Sequence, residues 1–214
     1  MAARRRRAAT ATTYKLCSLL LQYPDERLLA GREELAAAVA ALPRSPAAEA
    51  IERFIAWWTA TTGLELAQHY VETFDLKRRC SLYLTFYGLG DRRERGQALL
   101  RLRKLYRAAG LPQDGSELPD YLPLMLEFAA HAPDRRGERL LREQRPALEL
   151  LRAALHDEHS PYAHLLDALA DLLGAPASMD RARAARLAAQ GPPGELVGLE
   201  PFAPPEVMPH EVMR

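Results

Sequence analysis

The sequence is poor in cysteine: Cys17 and Cys80 are its only two, and they lie 63 positions apart. Without a CxxC pair or a set of closely spaced cysteines, the chain offers neither a disulfide framework nor a cysteine zinc site. Such sparse usage is typical of proteins in a reducing compartment. We therefore expect a cytoplasmic protein.

A long hydrophobic run is also missing, since no stretch approaches the roughly 20 apolar residues of a membrane span. The start of the chain, MAARRRRAATATTYKLCSLLLQYP, has the basic beginning of an export signal. Its apolar run covers only residues 16–21, contains Ser18 and leads into YPDE instead of a small-residue cleavage site. We predict neither export nor stable membrane insertion.

Charge of one sign is not in excess, because 29 lysines and arginines face 28 acidic residues and leave a formal net charge of +1. That balance argues against a protein built mainly to coat nucleic acid. A hydrophobic fraction of 48% with 27% charged residues is ordinary for a soluble globular protein. Any electrostatic function must therefore be local.

Strand-like alternation does not persist anywhere, whereas helical periodicity runs through most of the chain. The sequence predicts an all-α, single-domain helical bundle. We divide the chain into a flexible arginine-rich N-terminus (1–11), an all-helical domain (12–174) and a mostly flexible tail (175–214). That tail holds seven of the sixteen prolines and, at most, a short arginine-rich helix near residues 180–189.

Apolar spacing and proline or glycine stops predict the helices. The first three cover residues 12–23, 25–42 and 47–62, the last of these with Gly63 as C-terminal cap. A segment from residue 64 continues or bends near 75 and ends before 88, and the next helix covers 91–109. The remaining helices are one opened by Asp120, one over 138–156 with a kink at Pro146, and one over 160–174 opened by Ser160 and Pro161. Residues 79–87 are apolar nearly all round, which predicts a central helix surrounded by others. Asp120 as N-cap places Pro123 in the first turn, where proline costs no hydrogen bond.

Residues for catalysis or metal binding are not arranged in a recognisable order. His156, His159 and His164 have metal-ligand character, but Ser160-Pro161 interrupts their helix, so we predict no metal site. Gly88-Leu89-Gly90 follows a predicted helix instead of the strand that a phosphate loop requires. We expect no catalytic residue, no enzyme activity and no permanently bound cofactor.

Basic residues are concentrated between residues 75 and 110, where ten lysines and arginines face three acids and give about +7. Directly afterwards, residues 111–134 contain no lysine or arginine and carry an acidic, proline-rich loop. This separation suits a protein that holds a polypeptide by one surface and an anionic partner by another. The basic residues that we assign to the second surface are Lys77, Arg78, Arg79, Arg103 and Arg107.

Three segments follow one another in an order that few proteins share: HYVETFDLKRRCSLYLTFY at residues 69–87, GDRRERG at 90–96 and ELPDYLPLMLEFAA at 117–130. Together they resemble the nitrate reductase assembly chaperones, the NarJ or delta-subunit family, within the all-helical TorD-like group of redox-enzyme maturation proteins. The resemblance extends from about residue 14 to about residue 173. Its first signature falls on Tyr70, Glu72, Phe74, Asp75, Lys77, Arg78, Arg79, Ser81, Leu82, Tyr83 and Leu84.

The resemblance implies a dedicated cytosolic chaperone. Such a protein binds the N-terminal segment of the nitrate reductase catalytic (alpha) subunit and keeps it competent for iron–sulfur and molybdenum cofactor insertion and for complex assembly. It implies at most transient contact with the molybdenum bis-guanylyl cofactor through the client, and it admits molybdenum cofactor biosynthesis proteins as further partners. The family's acidic-proline-aspartate motif falls on Glu117, Pro119 and Asp120. The residues that we assign to partner-peptide binding are Glu117, Pro119, Asp120, Tyr121, Glu127, Tyr70 and Phe74.

Two alternatives stay open. A chaperone for another molybdoenzyme, such as a dimethyl sulfoxide or trimethylamine oxide reductase, would have the same fold, although LKRRCSLYLT favours nitrate reductase. A helical nucleic-acid-binding module that uses the basic residues belongs to a different class, and salt-dependent binding to generic duplex DNA would identify it.

Overall fold

The computed structural model describes residues 1–113 and 115–190, and helices form almost all of its regular structure. No strand occurs in these residues apart from a single antiparallel bridge between Tyr83 and Tyr121. The all-α prediction is confirmed. The α-helices are α1 (Ala2–Leu20), α2 (Glu26–Ala30), α3 (Arg32–Ala40), α4 (Pro46–Ala60), α5 (Gly63–Tyr70), α6 (Phe86–Leu89), α7 (Arg93–Ala108), α8 (Leu122–His131), α9 (Arg136–Glu143), α10 (Arg145–Asp157), α11 (Ala163–Leu173) and α12 (Ser178–Gln190).

Side-chain caps start several helices where the sequence places a short polar residue. The Asp25 side chain accepts from the Leu28 N–H at the start of α2, and the Ser45 hydroxyl accepts from the Ala48 N–H at the start of α4. Thr62 and Glu65 form a reciprocal capping box that opens α5. These contacts satisfy backbone donors that a helix start leaves without a partner.

The core is built from pairs of helices. Helix α1 packs along α8, α4 packs along α11, and α10 lies between α11 and α12. The buried Ser18 hydroxyl donates to the Pro123 carbonyl at 2.7 Å and fastens α1 to α8. Helix α4 buries Ile51, Phe54 and Ile55 at helical spacing, and Trp58 at its end has no exposed surface.

Three predicted helix bounds are wrong for local reasons. Helix α1 begins at Ala2, so the residues before 12 are helical rather than irregular, because alanine and arginine are strong helix formers. The helix predicted for residues 25–42 breaks at Gly31, which ends α2 and precedes α3. Gly63 does not cap α4 but is the first residue of α5, since the capping box before it starts a new helix.

Proline positions set two more bounds. The helix predicted for 138–156 is divided at Gln144, because Pro146 is tolerated in the first turn of a new helix and not in the interior of a long one. The last predicted helix begins at Ala163 rather than at Ser160, whereas its end at Gly174 is confirmed. The short arginine-rich helix expected near residues 180–189 is present as α12.

The predicted central helix over residues 79–87 does not exist. The chain instead forms a π-helical turn (Val71–Asp75), a 3₁₀ turn (Arg78–Cys80), an extended stretch and the one-turn helix α6. Leu82 and Leu84 are buried. A short apolar run fits a buried extended segment as well as a buried helix, and contacts with another part of the chain decide between them.

The other parts of the predicted division of the chain into N-terminus, helical domain and tail are not tested. Residues 191–214 of the predicted tail, and Asp114 in the acidic loop, lie outside the described residues.

Among the helices that the structure describes, none combines the length and the apolar character needed to cross a lipid bilayer.

Candidate partner-binding site

The structure brings together two motif segments that are separated by 29 residues in the sequence: the signature segment (residues 69–87) and the ELPD motif (residues 117–120). The Leu84 N–H donates to the Asp120 carbonyl at 3.0 Å, and the Leu122 N–H donates to the Leu82 carbonyl at 2.8 Å. These two backbone bonds form the antiparallel bridge around Tyr83 and Tyr121. The motif residues therefore belong to one structural unit.

Asp120 lies at the centre of this unit and has no exposed surface. One carboxylate oxygen, Oδ2, accepts from the Thr85 hydroxyl at 2.5 Å, from the Thr85 N–H at 3.3 Å and from Arg95 Nη2 at 3.3 Å. The other oxygen, Oδ1, has no hydrogen-bond partner among the described residues. Because burial of an uncompensated carboxylate is costly, the Arg95 guanidinium is essential to this arrangement.

The predicted N-cap role of Asp120 is wrong. Tyr121 is the N-cap of α8, without a side-chain cap bond, and the Asp120 side chain turns to the signature segment instead. Pro123 does lie in the first turn, as predicted. In this conformation the Asp120 carboxylate is not presented to a partner, so its part in peptide binding stays a prediction.

A row of tyrosines continues the unit. The Tyr83 hydroxyl donates to Glu117 Oε1 at 3.0 Å, the Tyr83 and Tyr121 rings lie 5.4 Å apart, and the hydroxyls of Tyr121 and Tyr70 lie 3.1 Å apart. Burial, followed by the nearby Glu117 carboxylate, raises the pKa of Tyr83, and burial with the neighbouring Tyr121 raises that of Tyr70. These hydroxyls keep their protons at neutral pH. They serve as hydrogen-bond donors that join backbone segments, which suits binding and positioning.

The residues predicted to bind a peptide do not form one exposed surface. Five of them lie in or directly beside the hydrogen-bonded unit just described: Tyr70, Glu117, Pro119, Asp120 and Tyr121. Phe74 packs on Tyr70 of this unit but is buried against the rings of Tyr70 and Tyr162. Only Glu127 lies apart, further along α8 in an ion pair with Lys15.

Two residues of the unit were missed by the sequence reasoning, Thr85 and Arg95. Arg95 is one of several arginines in α7, and it shares a helix face with the buried Leu102 and Tyr106, seven and eleven positions further on. A cation on the apolar face of an amphipathic helix is a signal for a buried ion pair, and the helical period could have identified it.

The predicted basic surface is partly neutralised. Lys77 and Arg79 both pair with Glu158, directly after α10, and hold the pKa of that carboxyl at about 2. Arg103 and Arg107 line a separate small cleft of about 50 Å³ beside Pro112. The structure therefore does not gather these residues into one continuous basic face.

Two cavities adjoin the outer side of the signature segment. One, of about 420 Å³, is lined by Leu84, Thr85 and residues of α7, α9 and α10. The other, of about 380 Å³, is lined by Arg78, Arg79, Phe86, Tyr87 and residues of α10. Leu187 of α12 borders both, so α12 lies between them. We call the depression that contains both cavities and α12 the α12 groove.

Tyr83 and Phe86, which belong to the stretch predicted as a central helix, are both half-buried. Phe86 lines the α12 groove, and Arg95 lies over its ring with the guanidinium carbon 5.7 Å from the centroid. This aromatic side chain thus connects the motif unit with the groove.

The histidine cluster and the cysteines have ordinary structural roles. Asp167 Oδ1 accepts from Arg152 Nε at 2.6 Å and lies 3.0 Å from His156 Nε2. Burial raises the pKa of the Cys80 thiol to about 11, as expected for a cysteine packed in the core. No group of three or more histidine, cysteine, aspartate or glutamate residues in the described part of the chain could hold a metal ion.

Comparisons with known proteins agree with the family resemblance of the motif segments. The family model described as nitrate reductase delta subunit matches residues 33–168. The chain is 34% identical over 157 residues to the probable nitrate reductase molybdenum cofactor assembly chaperone NarJ of Bacillus subtilis, covering 73% of this chain and 85% of that protein. It is 36% identical over 168 residues to the nitrate reductase molybdenum cofactor assembly chaperone NarJ of Escherichia coli K12, covering 78% and 71%.

A longer relative matches the same region. The chain is 37% identical over 164 residues to the nitrate reductase-like protein NarX of Mycobacterium tuberculosis, covering 75% of this chain. It spans only 24% of the length of NarX. The bundle that contains the motif unit is therefore also found as part of a larger polypeptide.

Proposed function

The chain belongs to the nitrate reductase delta subunit family, and from this membership we propose that it is a cytoplasmic assembly chaperone for nitrate reductase. Its client is the catalytic (alpha) subunit, whose N-terminal segment it binds. Binding keeps the subunit competent for molybdenum cofactor and iron–sulfur insertion and for assembly of the complex. The chaperone itself carries out no covalent chemistry.

One observation supports this proposal above the others: the three segments that carry the family resemblance meet where the Asp120 carboxylate bonds to Thr85 and Arg95. The polar groups of the unit are engaged in hydrogen bonds that hold backbone segments together. Its outer side borders an elongated depression that contains apolar and aromatic side chains. A groove of this kind fits an amphipathic helix, which binds by burying its apolar face.

The cofactor belongs to the client in this proposal. Binding of the client segment, instead of binding of the cofactor, is the step that the chain's own residues perform. Contact with the molybdenum bis-guanylyl cofactor would then be transient and made through the client, and cofactor biosynthesis proteins would approach the same complex.

Binding can be tested directly by calorimetry with a synthetic peptide that covers the N-terminal segment of the catalytic subunit. We expect reversible, moderate affinity, because a single helix in a groove buries only on the order of 1,000 Å². A peptide of the same composition in scrambled order is the control. Equal binding of the two peptides would contradict sequence-specific recognition of the client.

The cellular role requires a second experiment. Cells that lack the protein should accumulate nitrate reductase polypeptide that is poor in molybdenum and inactive, and expression of the wild-type chain should restore both. Normal molybdenum content and activity in such cells, without a redundant homologue, would refute the proposal. Loss of a different molybdoenzyme with normal nitrate reductase would favour the alternative client.

A further inference from the structure

Helix α12 lies along α10 but buries little of its own surface there. None of its described side chains is fully buried, and only Asp180, Ala184 and Leu187 are half-buried. By contrast, α11, which is shorter, buries six side chains. The side-chain hydrogen bonds of α12 also stay local: Asp180 accepts from the Ala177 N–H, and Arg181 donates to the Pro176 carbonyl.

The fit between α12 and the groove is poor. A tightly packed helix leaves little space along its edges. Along α12, cavities of about 420 and 380 Å³ that are open to solvent both border Leu187. Leu187 itself is seated over Gly88, where a Cβ added to the glycine would lie 3.9 Å from Leu187 Cδ2. Besides this leucine, α12 contributes only Arg183 to the lining of the larger cavity and only Ala188 to that of the smaller one, and the alanine is too small to fill the space beside it.

The groove is more apolar and more aromatic than the helix that occupies it. Half-buried Phe86, Tyr87, Leu89, Leu105 and Leu150 line the two cavities. Half-buried apolar side chains gain from a partner that removes them from water. A helix with larger apolar side chains at the positions of Arg183 and Ala188 would cover these groups better than α12 does.

We propose that α12 is an internal competitor that occupies the groove in which the client's amphipathic helix binds. The inference rests on the proposed chaperone function and adds its regulation. Residues 174–177 tether α12 to α11, so the helix is always present at a high effective concentration even though its fit is poor. The client must displace it, and α12 returns when the client leaves.

The competition has a measurable consequence. If α12 occupies the groove nine tenths of the time, the apparent affinity for the client is reduced about tenfold. A change that weakens the packing of α12 in the groove should therefore raise the affinity for the client. A change that strengthens this packing should lower that affinity. A helix that serves only as structural support would show the reverse or no effect.

The first test weakens the packing of α12 in its groove, in the full-length chain. Leu187→Ser removes the side chain that borders both cavities, and we expect it to tighten binding of the N-terminal peptide of the catalytic subunit by up to about tenfold. Met179→Ser is the matched control, because Met179 lies on the same helix and is 77% exposed. It should leave affinity unchanged. The bundle's melting temperature should change little in either variant.

The second test strengthens the packing of α12 in its groove. Ala188→Leu places a larger side chain against the 380 Å³ cavity and should weaken peptide binding at least about threefold. Ala185→Leu, at an exposed position of the same helix outside the two cavities, is its control and should have no effect. In the wild-type protein, the amides of α12 should exchange hydrogen faster when the peptide is bound.

The outcomes distinguish failure of the α12 competition from failure of the chaperone function. Equal peptide affinity of wild type, Leu187→Ser and Ala188→Leu would overturn the competition while the chaperone function stands. Absence of peptide binding in every variant, including Leu187→Ser, would overturn both. Slower exchange of the α12 amides on peptide binding would mean that α12 supports the client instead of competing with it, and would also overturn the inference.

Discussion

At the scale of single residues, Asp120 joins the two motif segments through one carboxylate oxygen. This oxygen accepts from the Thr85 hydroxyl, the Thr85 N–H and the Arg95 guanidinium. The Asp120 side chain has no exposed surface. Charge-assisted hydrogen bonds in such surroundings are stronger than neutral ones. Replacement of this side chain therefore tests the stability of the whole motif unit.

Asp120→Asn should destabilise the protein by about 1–3 kcal/mol, because asparagine loses the charge that compensates Arg95 and adds an amide donor to a buried site. An N-cap role would have left stability almost unchanged. Urea unfolding measures the difference. Asp157→Asn is the control, since that carboxylate is 69% exposed and 3.7 Å from Arg79, and it should cost less than about 0.5 kcal/mol. Similar losses for the two variants would contradict this account.

His69 gives a second residue-scale expectation, for pH dependence. Its ring stacks on Tyr162 and lies 2.9 Å from the Ser160 hydroxyl, and partial burial is the main cause that lowers its pKa below the ordinary value of 6.5. A histidine whose pKa is lowered by folding contributes stability that is complete above 6.5 and is lost as the pH falls through the folded-state pKa.

We therefore expect the wild-type protein to lose stability between about pH 7.5 and about pH 5, and His69→Gln to lose less over the same range. Glutamine can keep a hydrogen bond to Ser160 but does not titrate. His131→Gln, at an exposed position, should behave as wild type. Parallel pH profiles for wild type and His69→Gln would show that this ring does not cause the dependence.

At the scale of secondary-structure elements, a glycine permits a close contact between two helices. A Cβ added at Gly137 in α9 would lie 2.2 Å from the Ala129 Cα in α8, so the two helix backbones approach as closely as they do only because the side chain is missing. Gly96 in α7 provides the opposite case, because a Cβ there would meet nothing within 4 Å.

Gly137→Ala should cost at least about 2 kcal/mol, since a backbone atom cannot move aside as a flexible side chain can. Gly96→Ala should instead stabilise the protein by about 0.5–1 kcal/mol, because alanine is the better helix former. Chemical denaturation of the two variants beside wild type checks both signs. A neutral Gly137→Ala would show that α8 and α9 can separate without cost.

At the scale of the whole molecule, an ion-pair group connects the signature segment with the end of α10. Lys77 and Arg79 pair with Glu158, and their hydrogen bonds lower the pKa of that carboxyl from 4.5 to about 2. A carboxyl whose pKa is lowered by folding contributes stability that is present above its ordinary pKa and is lost as the pH falls through about 2.

Glu158→Gln should therefore lower the melting temperature at neutral pH and at about pH 4, and the difference from wild type should disappear near pH 2. Glu52→Gln is the control, because Glu52 is exposed on α4 and makes no ion pair with the described residues. It should match wild type at each pH. A difference for Glu158→Gln that persists at the acid end would mean that lost packing, and not the charge, destabilises the variant.

The sequence by itself determined the fold class, the membership of the family and most helices. Apolar residues at helical spacing define the faces of α4, α7 and α11, and Gly110 and Gly174 end two of these helices with positive φ angles of 76° and 74°. These signals are local, because a helix forms its hydrogen bonds within a few neighbouring residues. The arginine-rich α12 was identified for the same reason.

Only the tertiary structure decided the conformation of residues 76–85 and the position of Asp120. The bonds that hold this stretch come from residues 120 and 122 and from Arg95, which are far away in the chain, so no local pattern distinguishes it from a buried helix. The same reason places α12 in a groove lined by the signature segment. Where a segment's hydrogen bonds and apolar contacts are supplied by distant residues, its structure follows from the fold and cannot be derived from its own sequence.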